Sequence, residues 1–146
     1  MLMTSKATVK SLQGVKVEAD VRGFKFIMDE PEDLGGTNEG MNPVEALLCA
    51  LGACQVIVIK AFAKAQKFEV GDVRVELEGD LDPDGFSGKN PDVRNGFQEI
   101  RFKFYLETEE SDERAEEFIT FVENTCPVAD MLRTPVPQIL MGIERA

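Results

Sequence analysis

Three cysteines and the absence of histidine restrict the chemistry open to this chain. Without histidine there is no imidazole base, no Ser-His-Asp or Cys-His pair, and little basis for zinc or iron binding. The thiols of Cys49, Cys54 and Cys126 remain. A thiol reacts as its thiolate, so a reactive cysteine needs a neighbour that favours ionisation. Cys126 stands before Pro127 and would cap a short following helix, whose free N–H groups favour negative charge. Cys54 lies in Leu51-Gly52-Ala53-Cys54, apolar on both sides and mid-helix, so it would need a cation from elsewhere. Local physics ranks Cys126 as the more readily ionised thiol. The alternative is that these cysteines are buried free thiols acting as small hydrophobes.

The stretch that must position Cys54 runs from Asn42 to Gln66. Asn42 is a strong N-cap, and Pro43 suits the first helical position. Val44, Leu47, Leu48, Leu51, Cys54, Val58, Ala61, Phe62 and Ala65 recur at three- and four-residue steps, the spacing of one helix face. A helix over Pro43 to Gln66 would be roughly 36 Å long at ~1.5 Å per residue. Within it, Cys49 points roughly 140° away from Cys54 and lies ~7.5 Å from it along the axis. A disulfide needs Cα atoms within about 7 Å. Cys49 and Cys54 therefore do not pair in an intact helix; any partner of Cys54 is Cys126, and Cys49 reads as a packing residue.

Around this helix the pattern is extended. Val9 begins one strand, Gln13-Gly14 is a turn, and Val15, Val17, Ala19 and Val21 alternate with charged residues. Phe24, Phe26 and Met28 follow, which predicts an antiparallel meander with one face on the long helix. Residues 29–41 contain Pro31, Gly35-Gly36 and Gly40 and read as an acidic loop without calcium-loop spacing. Val73, Val75 and Leu77 form a strand, Gly79 to Gly96 a long polar loop, and Ile100, Phe102, Phe104 and Leu106 another strand. Ser111 caps a helix that ends near Cys126, since proline disfavours helical backbone in the residue before it. Pro127 opens a short helix to Leu132, and Val136 to Ile143 is expected as a final edge strand. The order predicts one α+β domain over 1–146 with a mostly antiparallel sheet around a long central helix.

The net charge of −11 disfavours nucleic acid and anionic membranes as partners. The longest purely apolar run, near 56–59, is far shorter than a membrane span, and the N-terminus has no signal-peptide core, so a cytoplasmic protein is expected. Three cysteines in such a chain argue against a disulfide scaffold. No phosphate-loop pattern or metal-ligand cluster is present, and neither cofactor nor metal is expected.

Asp29-Glu30-Pro31, Leu34-Gly35-Gly36, Asn42-Pro43-Val44-Glu45-Ala46-Leu47-Leu48, Leu51-Gly52-Ala53-Cys54 and Cys126-Pro127-Val128 together resemble the OsmC/Ohr family. These are the osmotically inducible protein C and organic hydroperoxide resistance proteins, and the chain is most similar to the OsmC-like branch. The resemblance covers roughly residues 15–137. It implies an intertwined homodimer with the active site at the dimer interface, and a thiol peroxidase that reduces organic hydroperoxides. It also implies that Cys54 attacks the peroxide, becoming a sulfenic acid, that Cys126 resolves it as a disulfide, and that a dithiol such as dihydrolipoamide recycles the pair. This reverses the local ranking of the two thiols. The cation would be Arg22, the one arginine before the long helix.

The sequence departs from the peroxidases of the family at one position. There a glutamate follows Asn-Pro directly; here that position is Val44, and Glu45 comes one residue later. Nine residues from Cys54, Glu45 projects roughly 180° around the helix from it. Either Glu45 is a first-turn acid favoured by the helix dipole, or the arginine is held differently in this branch. Two rival expectations stand beside the peroxidase: an OsmC-like module binding a small hydrophobic ligand in the dimer cleft, and a thiol-transfer protein.

Overall fold

Two tight turns shape the N-terminal strands. In the computed structural model, which describes residues 1–145, β1 (Thr8–Ser11), β2 (Val17–Val21) and β3 (Phe24–Met28) form an antiparallel sheet in that order. Val21 pairs with Phe24, so Arg22-Gly23 is a two-residue hairpin loop with left-handed backbone at both positions (φ 56° and 86°). That is the twist-matched hairpin geometry, and glycine adopts it without steric penalty. Cross-strand charges follow the register: Lys25 lies 3.6 Å from Glu18 and 3.8 Å from Asp20.

The chain forms two compact units, Met1–Cys49 and the residues from Ala50 onward. In the first, the loop after β3 is organised by one buried acid. The Asp29 carboxylate accepts from the Thr37 hydroxyl at 2.7 Å, the Glu30 N–H at 2.8 Å, the Thr37 N–H at 3.1 Å and the Glu39 N–H at 3.2 Å. Lys16 pairs with Glu39. A Cβ at Gly36 would overlap the Glu30 carbonyl, so the loop closes only with glycine there. The Thr37 hydroxyl, then the backbone N–H groups of Glu30 and Thr37 and the Lys16 charge, hold Asp29 below the ordinary 3.8 against the opposing effect of burial. A carboxyl depressed by folding contributes stability above its unfolded pKa and loses it as pH falls through the folded one. Amide protection at Thr37 and Glu39 is therefore expected to hold from neutral pH down to 3.8 and to collapse below it. Asp29→Asn is expected to speed exchange there about tenfold or more at neutral pH, measured by hydrogen exchange.

The long helix α1 runs Pro43–Phe62, four residues shorter than the periodicity predicts. It stops because the backbone turns left-handed at Lys67 (φ 51°) after the Gln66 N–H bonds to Phe62 and the Phe68 N–H to Ala63. Its buried residues are Leu51, Gly52, Gln55, Val58 and Ile59. The buried stripe is thus rotated from the predicted one, and Leu47 and Phe62 are exposed. By length and mean hydropathy (1.9) α1 alone would satisfy a membrane span, which the short run at 56–59 does not suggest; here its buried stripe packs in a protein core.

In the second unit β4 (Val73–Leu81) pairs antiparallel with β5 (Phe97–Leu106). The expected loop from Gly79 is shorter: β4 continues to Leu81, and a short helix α2 (Pro83–Phe86) follows, capped by the Asp82 side chain. The rest is a hairpin connection. Gly52 of α1 lies against β4, where a Cβ would stand 2.6 Å from Leu77 Cδ1. Helix α3 (Asp112–Thr125) starts at Ser111, whose side chain accepts from the Arg114 N–H, and ends at Cys126; α4 (Pro127–Arg133) begins directly after. Leu51, Val58, Ile59, Phe68, Phe118, Val122, Cys126 and Ala129 form the core.

The expected last strand, Val136 to Ile143, is not formed. This segment has no regular secondary structure and is exposed, with Ile139 at 81% and Met141 at 98%. Pro137 deprives it of one ladder donor and Pro135 stands just before it, and no described strand pairs with it.

Candidate active site

Cys54 and Cys126, 72 residues apart, meet in the second unit. Their sulfurs lie 2.7 Å apart in a hydrogen bond, and both are free thiols. Helix α1 brings Cys54, half-buried, to the edge of the core cluster. The junction of α3 and α4 brings Cys126, which is 1% exposed. Cys126 closes α3 by donating its backbone N–H to the Val122 carbonyl at 2.9 Å. Its sulfur opens α4 by accepting the Ala129 N–H at 3.4 Å. The expected cap at Cys126 is therefore in place. Cys49 is exposed on another face of α1.

Burial, and then the hydrogen bond with Cys126, push the Cys54 thiol above its ordinary 9.0; the Val128 backbone N–H pulls the other way. Within this unit, burial and the neighbouring Cys126 sulfur both disfavour the Cys54 thiolate.

Arg22 and Glu45 belong to the first unit. Arg22 occupies the β2–β3 turn, with its guanidinium 5.3 Å from the Phe24 ring centroid. Among the described residues it has no ion-pair partner, whereas Arg101 is engaged by Glu78, Asp80 and Glu99. Glu45 forms a reciprocal cap with Asn42: its carboxylate accepts the Asn42 N–H at 2.8 Å, and the Asn42 side-chain oxygen accepts the Glu45 N–H at 2.9 Å. This arrangement satisfies two otherwise free donors at the helix start. No group of three His, Cys, Asp or Glu that could hold a metal occurs among the described residues.

Sequence reasoning passed over Gln55. It is fully buried beside Cys54 in sequence, and neither polar atom of its side chain has a partner among the described residues. An amide in an apolar stripe carries no periodic signal of burial, which is why the pattern missed it. The backbone N–H of Ala129, which bonds to the Cys126 sulfur, was legible only as the generic consequence of a Cys-Pro helix start.

The family model described as OsmC-like protein matches residues 36–140. A hydroperoxide reductase of Mycoplasma genitalium is 27% identical over 96 residues, 65% of this chain and 64% of the relative. A hydroperoxide reductase of Mycoplasma pneumoniae is 28% identical over 98 residues, 66% of this chain and 65% of the relative. The matches thus span slightly less than two thirds of either relative. An OsmC-like protein structure from Mycoplasma pneumoniae superposes with a TM-score of 0.80 at 23% identity, covering 92% of this chain and 91% of that one. An organic hydroperoxide resistance protein OsmC from Legionella pneumophila gives 0.70 at 24% identity, covering 91% of each chain.

Proposed function

The chain belongs to the OsmC-like protein family, and from that membership and the facing sulfurs of Cys54 and Cys126 we propose that it is a cysteine-based peroxidase that reduces organic hydroperoxides. The observation that carries the reading is the 2.7 Å separation of two free thiols far apart in the chain. Two incidental core cysteines have no need to face each other.

The Cys54 thiolate attacks the outer oxygen of the hydroperoxide. The O–O bond breaks, the alcohol leaves with a proton, and Cys54 becomes a sulfenic acid. The Cys126 thiol then condenses with it, water leaves, and the disulfide forms. A dithiol such as dihydrolipoamide supplies two electrons and two protons to restore both thiols. The hydroperoxide reductase names of the Mycoplasma relatives support this class of substrate.

Arg22 is the proposed cation that lowers the Cys54 pKa and orients the peroxide, supported by its lack of a carboxylate partner among the described residues. Arg22→Met is expected to move the pH profile of Cys54 alkylation upward by about one unit. An unchanged profile removes Arg22 from the site. Glu45, engaged in the Asn42 cap, is proposed to serve the site by fixing the start of α1.

Helix α1 runs from the first unit into the second, which supports treating residues 1–146 as one working domain. The proposed assembly is a homodimer, supported by the large apolar side chains left exposed, Phe24, Ile57 and Leu140 among them. Light scattering at micromolar concentration is expected to give twice the 16.2 kDa chain mass; a monomer mass defeats the assembly.

The deciding experiment counts free thiols under denaturing conditions before and after one equivalent of an alkyl hydroperoxide. Loss of two thiols, reversed by dihydrolipoamide, is expected. No loss would favour the second reading, a cleft that binds a small hydrophobic ligand without efficient turnover. The engagement of Glu45 with Asn42 favours that reading, because the carboxylate is already occupied.

A further inference from the structure

We propose that Asn95 is a modification site: in the folded chain it deamidates through the Gly96 backbone nitrogen, and the isoaspartate formed loosens the start of β5. The site lies in the connection between β4 and β5, on elements that the peroxidase reading does not use.

The chain has five asparagines, Asn38, Asn42, Asn90, Asn95 and Asn124. An asparagine side chain reacts when the backbone nitrogen of the next residue reaches its Cγ and closes a five-membered ring. Holding the two groups together makes this attack intramolecular. The fold blocks it at four of the five. Asn42 and Asn90 precede Pro43 and Pro91, whose nitrogens carry no proton to lose. The Glu39 N–H, after Asn38, is held by the Asp29 carboxylate at 3.2 Å. Asn124 and Thr125 lie in α3, where helical dihedrals keep that nitrogen away from the side chain.

Asn95 meets none of these blocks. It is exposed and lies outside any helix or strand. The Gly96 N–H, one residue before β5, has no loop, turn or side-chain partner among the described residues. Glycine leaves the approach unhindered and lets the backbone rotate into the ring geometry. A Cβ at Gly96 would stand 3.7 Å from Arg94 Nη2, so the guanidinium lies alongside. A cation there favours the negative charge that develops on the attacking nitrogen and on the amide oxygen. Asp84-Gly85, in the same connection, lacks this freedom: the Gly85 N–H donates to the Asp82 carbonyl at 3.2 Å, and Gly85 is buried.

The Gly96 nitrogen gives its proton to a solvent base and bonds to Asn95 Cγ. The Cγ–Nδ2 bond breaks, and the departing nitrogen takes up a proton to leave as ammonia. Water then opens the imide at one of its two carbonyls. One opening gives aspartate. The other gives isoaspartate, in which the main chain runs through the side-chain carbon and is longer by one methylene. No electrons are transferred, and water is the only co-reactant.

The added methylene falls inside a clasp. Gln98 Nε2 donates to the Arg94 carbonyl at 3.2 Å and to the Gly96 carbonyl at 3.4 Å, one residue either side of Asn95. A lengthened backbone parts those carbonyls, so one amide no longer spans both. Phe97 follows at once. It opens β5 opposite Leu81, next to the register irregularity of the hairpin, with its ring against Gly79.

The test keeps the folded chain in mildly alkaline buffer. Peptides spanning residue 95 are followed by mass and by methylation with an isoaspartyl carboxyl methyltransferase. Position 95 is expected to convert about tenfold or more faster than any other asparagine. Gly96→Ala, which has room for its Cβ, is expected to slow conversion about tenfold. Hydrogen exchange at Phe97 and Gln98 is expected to quicken in the isoaspartyl chain and to stay unchanged in Asn95→Asp, which adds the charge without the methylene. Earlier conversion at another asparagine, or a wild-type rate in Gly96→Ala, overturns the site. Unchanged exchange in the isoaspartyl chain overturns the loosening of β5.

Discussion

Cys54→Ser is expected to abolish hydroperoxide consumption, lowering the rate by about a thousandfold or more, as removal of a reaction's nucleophile does. A serine hydroxyl does not form the sulfenic acid on which the cycle depends. Cys126→Ser is expected to behave differently. Cys54 still attacks once, but its sulfenic acid finds no thiol to condense with and climbs to the sulfinic state. Intact-mass measurement after excess alkyl hydroperoxide separates the outcomes. The Cys54→Ser chain gains no oxygen at the substituted position, Cys54 gains two oxygens when Cys126 is replaced, and the wild type loses two hydrogens. Wild-type activity in Cys54→Ser would sink the mechanism. Over-oxidation is predicted because Cys126 is the one thiol within reach of Cys54: Cys49 is exposed on another face of α1.

Phe118→Ala is expected to cost about 3–5 kcal/mol of stability, the range for truncating a buried phenylalanine. Phe118 is 2% exposed. Its ring stacks 4.4 Å from that of Phe68 and lies 6.2 Å from that of Phe121. It is the residue through which α3 enters the core, about two turns before Cys126, with Val122 continuing the same stripe. Loosening α3 releases the element that carries Cys126. The midpoint of urea unfolding measures the loss, and the rate of diamide-driven disulfide closure, slowed in the same variant, shows that packing sets the approach of the sulfurs. A loss under about 1 kcal/mol would mean that the Phe68–Phe118 stack is not a principal contact of the core.

Much of the architecture is legible in local chemistry because the signals act within a few residues. Asn42-Pro43 marks the start of α1, and Glu45 completes the cap. Gln13-Gly14 marks a turn, with Gly14 in left-handed backbone. Ser111 and the Cys126-Pro127 pair bound α3 and open α4. The exclusion of a Cys49–Cys54 bond also needs only helix geometry.

Elsewhere local pattern misleads. The segment 136–143 is apolar enough to read as an edge strand, but a strand exists only when another accepts its donors, and Pro137 withholds one of them. The polar run from Gly79 reads as loop, yet pairing with β5 keeps β4 extended to Leu81. The stripe of α1 is rotated because burial is decided by what lies opposite: Leu77 against Gly52, and a core that encloses the amide of Gln55.

Residue order alone carries the kind of chemistry and the local frame: thiols without histidine, one cysteine within a long helix and another at a helix start. Composition and backbone preference are properties of near neighbours, so they survive without a fold. Packing alone brings Cys54 to Cys126 and, by burying it, pushes the Cys54 thiol up. Each of these depends on groups 72 or more residues apart in the chain or on exclusion of water, and no spacing along a sequence encodes a distance that packing alone sets.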